Sequence, residues 1–379
     1  MADNVVSIAY SLILDELMED DDGTDALIST FRMSVASAMV ALASVFSVRR
    51  ESDPVRIEQY VESIVPLYSE LDFRAHFRMR RGTFQMLCEC LGPILTERKL
   101  SLEKKLLSTM WLLANQESYR GIADRFGISK GTLHLTALSV CKAIASLREN
   151  LIKFPDRRDF PKIANGFSQR CGFPGVVGAV DGTHIPIPAP RTAHRSAYIN
   201  RKGFSSMQLQ VICDSNLMFL DIYTGWPGSV HDARVFKQSP ISKALKENYL
   251  PPEFHLIGDS AYPMSENLLI PFRDNGHLGI IEKKYNKCHS YTRVDVERAI
   301  GLLKCKFRRL KYLDMYLEEE VTDFIAACCV LHNFILKEED VIDTVDGTDT
   351  DNISSEDHVE NENLSTPAQA KRWEIANLL

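Results

Sequence analysis

Several features that mark particular protein classes are missing from this 379-residue chain. It has no apolar run of about 20 residues, so the sequence predicts no membrane-spanning helix. Its N-terminus lacks the basic and then apolar layout of a secretory signal, so we expect no export. The nine cysteines follow neither the spacing of a zinc site nor that of a disulfide framework. Several lie in apolar runs, which predicts reduced core thiols in the cytosol or the nucleus.

Basic residues are scarce at the two ends of the chain, where acidic residues accumulate. Residues 1–25 hold eight acids and no Lys or Arg, and residues 337–379 hold twelve acids against three bases. Because the net charge is −7, residues 26–336 carry about +10. A basic body between acidic ends favours a polyanion-binding protein whose ends moderate non-specific contacts. Acidic ends that only increase solubility are an equally good interpretation.

Composition and hydrophobic periodicity divide the chain into four predicted parts. Residues 1–60 form an acidic N-terminal extension that contains a helix over 26–48. A helical domain (61–150), an α/β domain (155–336) and an acidic, disordered tail (337–379) follow. The last dozen residues, AQAKRWEIANLL, are less acidic than the rest of the tail. They predict a short helix that docks back on the body or binds a partner.

Residues 119–145 have the pattern of a helix-turn-helix unit. A small packing residue, a turn glycine and a capping serine follow one another at Ala123, Gly127 and Ser129. The first turns of the second helix then carry polar side chains that would contact DNA, namely Lys130, Thr132 and His134. An ordinary helical hairpin is the alternative interpretation.

From residue 155 onward, short apolar runs broken by Gly and Pro predict β-strands. We expect strands around 176–180, 207–216, 217–225, 255–262 and 278–286, the second and third forming an antiparallel pair. Helices are predicted over 226–245, 292–312 and 318–336, the last with Cys328, Cys329 and His332 as core residues. Strands that first pair antiparallel and are then joined through helices predict a mixed α/β sheet covered on both faces.

Carboxylates follow two of the predicted strands. Asp181 ends the apolar run 176–180, and Asp259 ends a second run at 255–258. An Asp–Gly pair often does no more than turn the chain. Here a third carboxylate, Glu297, lies on the helix 292–312, and Gly301 one turn later would let that helix approach the sheet.

Three carboxylates without Cys or His at ligand spacing favour Mg²⁺ or Mn²⁺ over Zn²⁺. Two such ions about 4 Å apart form the clamp that many enzymes use to cleave phosphodiester bonds. The helix that carries Glu297 continues into a basic stretch that includes Lys304 and Arg308, which would meet phosphates.

Six segments of the α/β domain together resemble the PIF/Harbinger-type transposases and the nucleases derived from them. The segments cover nearly all of 155–336 in order: AVDGTHI (179–185), YINRKGFSSMQLQ (198–210), GWPGSVHDARVF (225–236), GDSAYP (258–263), HSYTRVDVERAIGLLKCKFRRL (289–310) and ACCVLHNF (327–334). The resemblance implies an RNase H-like fold with an Asp-Asp-Glu triad at Asp181, Asp259 and Glu297. It also implies that Asp232 is a metal ligand, a residue otherwise interpreted as an acid at a helix N-terminus.

The resemblance further implies DNA as substrate and a separate Myb/SANT-like partner that reads DNA ends. It favours phosphate contacts by Arg201 and Lys202, which could otherwise be ordinary solvated loop charges. An active metal-dependent endonuclease or transposase is the first functional hypothesis. A domesticated DNA-binding or regulatory protein without turnover is the second, and a helix-turn-helix scaffold for protein assembly is the third. We expect a nuclear protein, with the cytoplasm as an alternative, and no membrane association; the sequence leaves a homo-oligomer open.

Overall fold

The computed structural model describes residues 55–95, 99–191, 193–247, 249–315, 318–339 and 366–379. The helix predicted over 26–48, the rest of the N-terminal extension up to residue 54 and the acidic stretch 340–365 lie outside the described residues. The described residues from Ile57 onward belong to one compact unit.

The helices before the sheet begin with α1 and α2, and the region 61–150 is helical as predicted. Their bounds are α1 (Glu70–Phe77), α2 (Arg81–Leu91), α3 (Leu102–Ala114), α4 (Tyr119–Arg125), α5 (Lys130–Ser146), α6 (Arg148–Leu151) and α7 (Phe160–Cys171). Short 3₁₀ or π turns precede α1 at Tyr60–Ile64 and Val65–Leu67.

Helices α4 and α5 are joined by a tight turn in which Gly127 has a positive φ of 63°. A side chain at this position would also collide with the backbone, because its Cβ would lie 2.7 Å from the carbonyl oxygen of Ile57. Ser129 caps α5 by accepting a hydrogen bond from the Thr132 amide at 3.0 Å. The two helices and their cap lie where the sequence predicts them; that this unit is a DNA-binding domain stays a prediction.

The sheet has five strands in the order β3-β2-β1-β4-β5. Their bounds are β1 (Val176–Pro186), β2 (Ser206–Cys213), β3 (Phe219–Pro227), β4 (His255–Ile257) and β5 (Leu268–Leu269). The first three strands pair antiparallel, whereas β4 pairs parallel with β1 and β5 pairs parallel with β4. The predicted mixed α/β sheet is therefore confirmed, with β1 at its centre.

The remaining helices are α8 (Asp232–Gln238), α9 (Pro240–Lys246), α10 (Ile280–Lys306), α11 (Glu318–Glu338) and α12 (Pro367–Leu378). The alternation of side chains along β1 sends Ala179 and Ile185 to one face of the sheet and Val180 to the other. The first face packs in one large apolar cluster with residues of α3, α5, α10 and α11. The second face packs with residues of α7, α8 and α9. The helical region and the sheet thus share one core.

Asn333 on α11 attaches this helix to the edge strand β3. Its side-chain oxygen accepts from the Phe219 amide at 2.8 Å, and its side-chain nitrogen donates to the carbonyls of Phe219 and Leu151. The neighbouring Cys328, Cys329 and His332 are fully buried, as predicted for core residues. The final motif of the α/β domain therefore has a structural role.

One strand was placed wrongly by the sequence. Residues 278–286 belong mostly to α10, a single helix of 27 residues, and the fifth strand is Leu268–Leu269 instead. A strand of two residues is too short to show a periodic pattern, whereas the apolar Ile280 and Ile281, which resemble a strand in sequence, are exposed on the first turn of α10.

The expectation of reduced thiols is wrong for one pair of cysteines. Cys171, at the end of α7, and Cys288, on α10, are joined by a disulfide with their Cα atoms 5.4 Å apart. They are 117 residues apart in the sequence, so only the packing of α7 on α10 brings them together. The other seven cysteines are free.

The last helix packs on the body and falls within the range predicted to be a disordered tail. Ala368, Ile375 and Ala376 of α12 are buried, and Arg372 lies over the ring of Phe272 at 4.0 Å. Lys371 donates to the carbonyls of Phe254 (3.0 Å) and Glu266 (2.7 Å), and burial lowers its pKa to about 8. Phe254 directly precedes β4 and Glu266 lies two residues before β5, so α12 holds the starts of these two parallel strands together.

No helix in the described part of the chain combines the length and the apolar character needed to cross a bilayer.

We expect Lys371→Met to lower the free energy of unfolding by about 2 kcal/mol, because two backbone carbonyls lose a charged donor while the apolar stem is kept. Urea denaturation followed by circular dichroism measures this effect. Lys337→Met, at an exposed position of α11, is the matched control and should leave the midpoint unchanged. A Lys371 variant that unfolds like the parent would contradict the role of this lysine in holding α12.

Candidate active site

Asp181 lies in the middle of the central strand, not at its end as predicted. Its Oδ1 accepts the amide hydrogen of Gly182 at 2.8 Å. In the register with β2 it lies opposite Val211, on the face of the sheet that α10 covers. Its side chain is 19 % exposed, so it is a largely buried carboxylate.

Asp259 follows β4 directly and lies beside Asp181. The parallel register pairs Ile257 with Ala179. Each aspartate lies two positions after its member of this pair, so the two carboxylates follow the pair at the same level. Asp259 also begins a turn: its Oδ1 accepts from the Ala261 amide at 3.0 Å, and its carbonyl accepts from the Tyr262 amide at 3.2 Å. The pairing of β1 with β4 thus brings two carboxylates that are 78 positions apart in the sequence near enough to influence each other's charge.

Helix α10 brings Glu297 to the same region, together with an arginine that the sequence analysis did not consider. Arg293 lies one turn before Glu297 and forms an ion pair with it. The same guanidinium contacts Asp181, with Nη1 3.3 Å from Oδ2. Arg293 therefore stands between the first and the third predicted ligands.

Gly301 does not have the role predicted for it. A Cβ at this position would meet no atom within 4 Å, so the glycine is not required for a close approach to the sheet. The helix is held instead by Lys304, whose ammonium donates to Thr183 Oγ1 at 2.7 Å and to the His184 carbonyl at 3.1 Å. Lys304 is thus engaged with β1 rather than directed at solvent, which differs from its predicted role as a phosphate contact.

Asp232 approaches from the opposite face of the sheet. It is the first residue of α8, and its Oδ1 would lie 2.7 Å from a Cβ placed on Gly182. Gly182 and Asp181 point to opposite faces because they are neighbours on one strand. The absence of a side chain at Gly182 therefore gives Asp232 room against β1, across the sheet from Arg293.

The electrostatics of the aspartates are coupled. Burial raises the pKa of Asp181 to about 7; Arg293 opposes this rise, and Asp259 and Asp232 add to it. Burial and then Asp259 raise the pKa of Asp232 to about 6. Burial also raises the pKa of Asp259 against the influence of Arg293. Three desolvated carboxylates that repel one another form a site that a cation would stabilise.

Oxygen ligands of this kind fit Mg²⁺ or Mn²⁺ by their chemistry. Within the described ranges, however, no three His, Cys, Asp or Glu side chains lie close enough together to hold a metal ion. In the arrangement seen here, Arg293 provides the positive charge that balances Asp181 and Glu297.

The predicted DNA contacts lie in two separate places. Arg201 and Lys202 are in an exposed loop closed by the bridge between Ile199 and Ser205, and Arg201 contacts the ring of His231, next to Asp232. Burial and then the cations Lys304, Lys202 and Arg201 lower the pKa of His184 to about 4, which reflects a positive rim beside the carboxylates.

The second group of predicted contacts belongs to the helices before the sheet and to the end of α10. Lys130 is exposed at the start of α5, whereas the Thr132 hydroxyl is hydrogen-bonded to the capping Ser129 at 2.7 Å. The His134 ring packs edge-on against Tyr119, and Arg308 is exposed in the 3₁₀ turn that follows α10. Lys130 and Arg308 are thus the members of this group that are presented to solvent.

Two residues of the site were missed by the sequence analysis. Arg293 could have been found from its spacing, because a residue four positions before Glu297 on a helix lies on the same face. Tyr262 follows the Asp259 turn, is 3 % exposed and has a hydroxyl that finds no hydrogen-bond partner in the described part of the chain. No sequence pattern indicates that its ring turns inward.

We expect the metal-free protein to lose stability as the pH rises through about 7. The folded-state pKa of Asp181 lies above its unfolded value, so the unfavourable charged form is populated only at higher pH. Between pH 6 and 8 this residue alone should reduce the free energy of unfolding by about 1 kcal/mol. Asp181→Asn should abolish that part of the dependence, and melting curves in EDTA measure it. Asp274→Asn, at an exposed turn, should behave like the parent; a parallel pH dependence in all three proteins would contradict the prediction.

The α/β domain is similar in sequence to a known protein family. The sequence profile described as DDE superfamily endonuclease matches residues 180–333, a range that contains all four predicted ligands. No solved structure matches the chain.

Among curated proteins, HARBI1 of Rattus norvegicus, which is named as a nuclease, is 33 % identical over 262 residues, covering 66 % of this chain and 73 % of the relative. The ALP1-like protein of Arabidopsis thaliana is 27 % identical and covers 71 % of each chain. The Antagonist of Like Heterochromatin Protein 1 of the same plant is 25 % identical, over 72 % of this chain and 74 % of its own. The chain therefore belongs to the DDE superfamily endonucleases and is a homologue of the HARBI1 and ALP1-like proteins.

Proposed function

We propose that this protein is a divalent-metal-dependent DNA endonuclease of transposase origin that cleaves phosphodiester bonds at an Asp-Asp-Glu site. The observations that support the proposal are the electrostatic coupling of Asp181 with Asp259 and the ion pairs that join both Asp181 and Glu297 to Arg293. Two of these carboxylates are buried and have raised pKa values, which is a common property of functional sites.

In this proposal Asp181, Asp259 and Glu297 hold Mg²⁺ or Mn²⁺, with Asp232 as a further ligand. Bound ions of this type activate a water and stabilise the leaving oxygen of a phosphodiester. The chain contributes the positions of the ligands. Asp181 is fixed on β1 and Asp259 on the turn after β4, and the ion pairs of Arg293 with Asp181 and Glu297 would have to open for these carboxylates to hold an ion.

Substrate binding would use the positive rim and the helical region. Arg201, Lys202 and Arg308 are the predicted phosphate contacts that the structure presents to solvent. The α4–α5 unit, with Lys130 at the start of its second helix, is proposed to be a helix-turn-helix that also contacts DNA. The order of the sheet, three antiparallel strands followed by two parallel ones, supports an RNase H-like assignment.

A DNA-binding or regulatory protein without turnover is the second candidate. It is favoured by Arg293, which already neutralises two of the three triad carboxylates. One relative is also named as an antagonist of another protein and not as a nuclease. For either function we propose a nuclear location and a Myb/SANT-like partner.

A metal-loading experiment tests the proposal. Mn²⁺ at a hundredfold excess over its Kd should stabilise the parent protein by about 2.7 kcal/mol, since the ion binds the folded state. Asp259→Asn should raise the metal-free melting temperature by relieving repulsion, and should abolish most of the Mn²⁺-induced shift. Nicking of supercoiled plasmid should fall by more than the roughly 100-fold that loss of an outer-shell partner causes.

Glu297→Gln should abolish the Mn²⁺ shift and the nicking in the same way, but without raising metal-free stability, because Glu297 is 41 % exposed and balances Arg293. Asp274→Asn is the control and should nick and melt like the parent. Nicking that survives in both triad variants would refute the nuclease, whereas Mn²⁺ binding without nicking in the parent would favour the second candidate.

Arg293 should compete with the metal for the same carboxylates. Arg293→Gln leaves the partly buried Asp181 without a counter-charge, so we expect the metal-free protein to lose about 2 kcal/mol of stability. The Mn²⁺-induced shift should then exceed that of the parent. Lys287→Gln, at an exposed position on the same helix, is the matched control. If Arg293→Gln removed the Mn²⁺ shift, the arginine would be part of the binding arrangement and the competition would be ruled out.

A further inference from the structure

Tyr262 is the buried polar side chain of the active-site region that the proposed function leaves unexplained. It is 3 % exposed, and its hydroxyl has no hydrogen-bond partner among the described residues. A buried hydroxyl without a partner is unfavourable by about 1–3 kcal/mol. A phenylalanine would fill the same space without that penalty, so the hydroxyl calls for an explanation.

The backbone of Tyr262 belongs to the turn that carries Asp259. Its amide donates to the Asp259 carbonyl at 3.2 Å, which closes the turn after β4. Its ring packs at right angles to Phe236 of α8, with 5.7 Å between the centroids. A Cβ at Gly258 would lie 3.2 Å from the ring, so the glycine allows the ring to turn under the strand end.

The hydroxyl of Tyr262 and the carboxylate of Asp232 both lie near Gly182 of the central strand, without a hydrogen bond between them. A Cβ at Gly182 would lie 3.6 Å from the hydroxyl and 2.7 Å from Asp232 Oδ1. The Tyr262 hydroxyl and Asp232 Oδ1 therefore both lie close to the Cβ position of Gly182, the residue that follows Asp181. Tyr262 thus connects the elements that carry three of the predicted ligands: its backbone holds the Asp259 turn and its hydroxyl reaches the position shared by Asp232 and β1.

The surroundings of this position are polar and equally short of partners. Gln208 is 4 % exposed, and its side-chain amide nitrogen lies 3.5 Å from Asp232 Oδ1. Among the residues that the structure describes, the Gln208 side-chain oxygen has no hydrogen-bond partner, and neither does either polar side-chain atom of the buried Gln210, two residues along β2. Gln208 and Gln210 pair in register with His184 and Gly182, so all four share the Asp232 face of the sheet. The hydroxyl of Tyr262 is thus one of several polar groups on this face that a bound state could satisfy.

We propose that Tyr262 is a positioning residue whose hydroxyl donates a hydrogen bond to Asp232 when a divalent cation is bound. The inference rests on the proposed function, because it assigns to this tyrosine the task of orienting one carboxylate of that site. Burial and the nearby carboxylates raise the pKa of Tyr262 well above its usual value, so the phenol keeps its proton and remains a donor. Outer-shell partners of this kind orient metal ligands in many proteins.

Tyr262→Phe tests the proposal in the full-length protein, with Mn²⁺ alone as the probe. The Mn²⁺ dissociation constant, measured by calorimetry, should rise about 10-fold or more because Asp232 loses its orienting donor. The metal-free melting temperature should be unchanged or higher, because an unsatisfied buried hydroxyl is removed. A purely structural hydroxyl would give the reverse pattern.

Tyr285→Phe is the matched control, since this buried tyrosine donates to the Ile270 carbonyl at 3.4 Å instead of facing Asp232. It should bind Mn²⁺ like the parent. Gly182→Ala gives a second route to the same contact, because the new methyl group would displace Asp232 Oδ1; it should also weaken Mn²⁺ binding.

The outcomes separate this inference from the function on which it rests. A parent protein that binds Mn²⁺, together with a Tyr262→Phe variant of equal affinity, overturns the role of Tyr262 and leaves the nuclease standing. A Tyr262→Phe variant that melts several degrees lower without metal also overturns it, since the hydroxyl would then have a structural partner. A parent protein that binds no Mn²⁺ overturns the metal site itself, and the role of Tyr262 with it.

Discussion

The burial of like charges at the centre of the sheet is the constraint on which this structure depends. Asp181 and Asp259 are placed side by side by strand pairing, away from most of the solvent, and this arrangement is unfavourable without a positive charge. Arg293 supplies that charge in the protein described here, and it reaches Asp181 and Glu297 from a single guanidinium. Electrostatics as well as apolar packing therefore contribute to the position of α10 relative to β1, and the same requirement supports the proposal that the site binds a cation.

Both faces of the sheet contribute to the site. The face covered by α10 presents Asp181, Arg293 and the Lys304 contact to Thr183, whereas the face covered by α8 presents Asp232, Gln208 and Tyr262. The two sets meet at Asp181–Gly182, where alternation along one strand directs consecutive residues to opposite sides. Gly182 leaves room for Asp232 at this junction, because a Cβ there would lie 2.7 Å from Asp232 Oδ1 and displace that carboxylate.

The sequence predicted the features that follow from local pattern and from strand pairing. Apolar runs ending in Asp259 and near Asp181 indicated the strands, and parallel pairing was enough to bring those two carboxylates together. The Ser129 cap and the Gly127 turn were equally readable from residue type. The short strand Leu268–Leu269, the link between Cys171 and Cys288 and the pairing of Arg293 with Asp181 arise from contacts between distant segments, for which single-sequence periodicity carries no signal. The roles of Asp232 and of the predicted DNA contacts stay predictions.

The docking of α12 has a consequence for the acidic residues that precede it. Because α11 and α12 both pack on the same unit, residues 340–365, with nine acids and no Lys or Arg, are covalently anchored at each end. These acids are therefore always attached to the basic body. Their local concentration near it depends on the length of the chain and does not fall when the protein is diluted. Any competition between these acids and a nucleic acid is unimolecular, so it acts as a constant threshold that a substrate must exceed at every protein concentration.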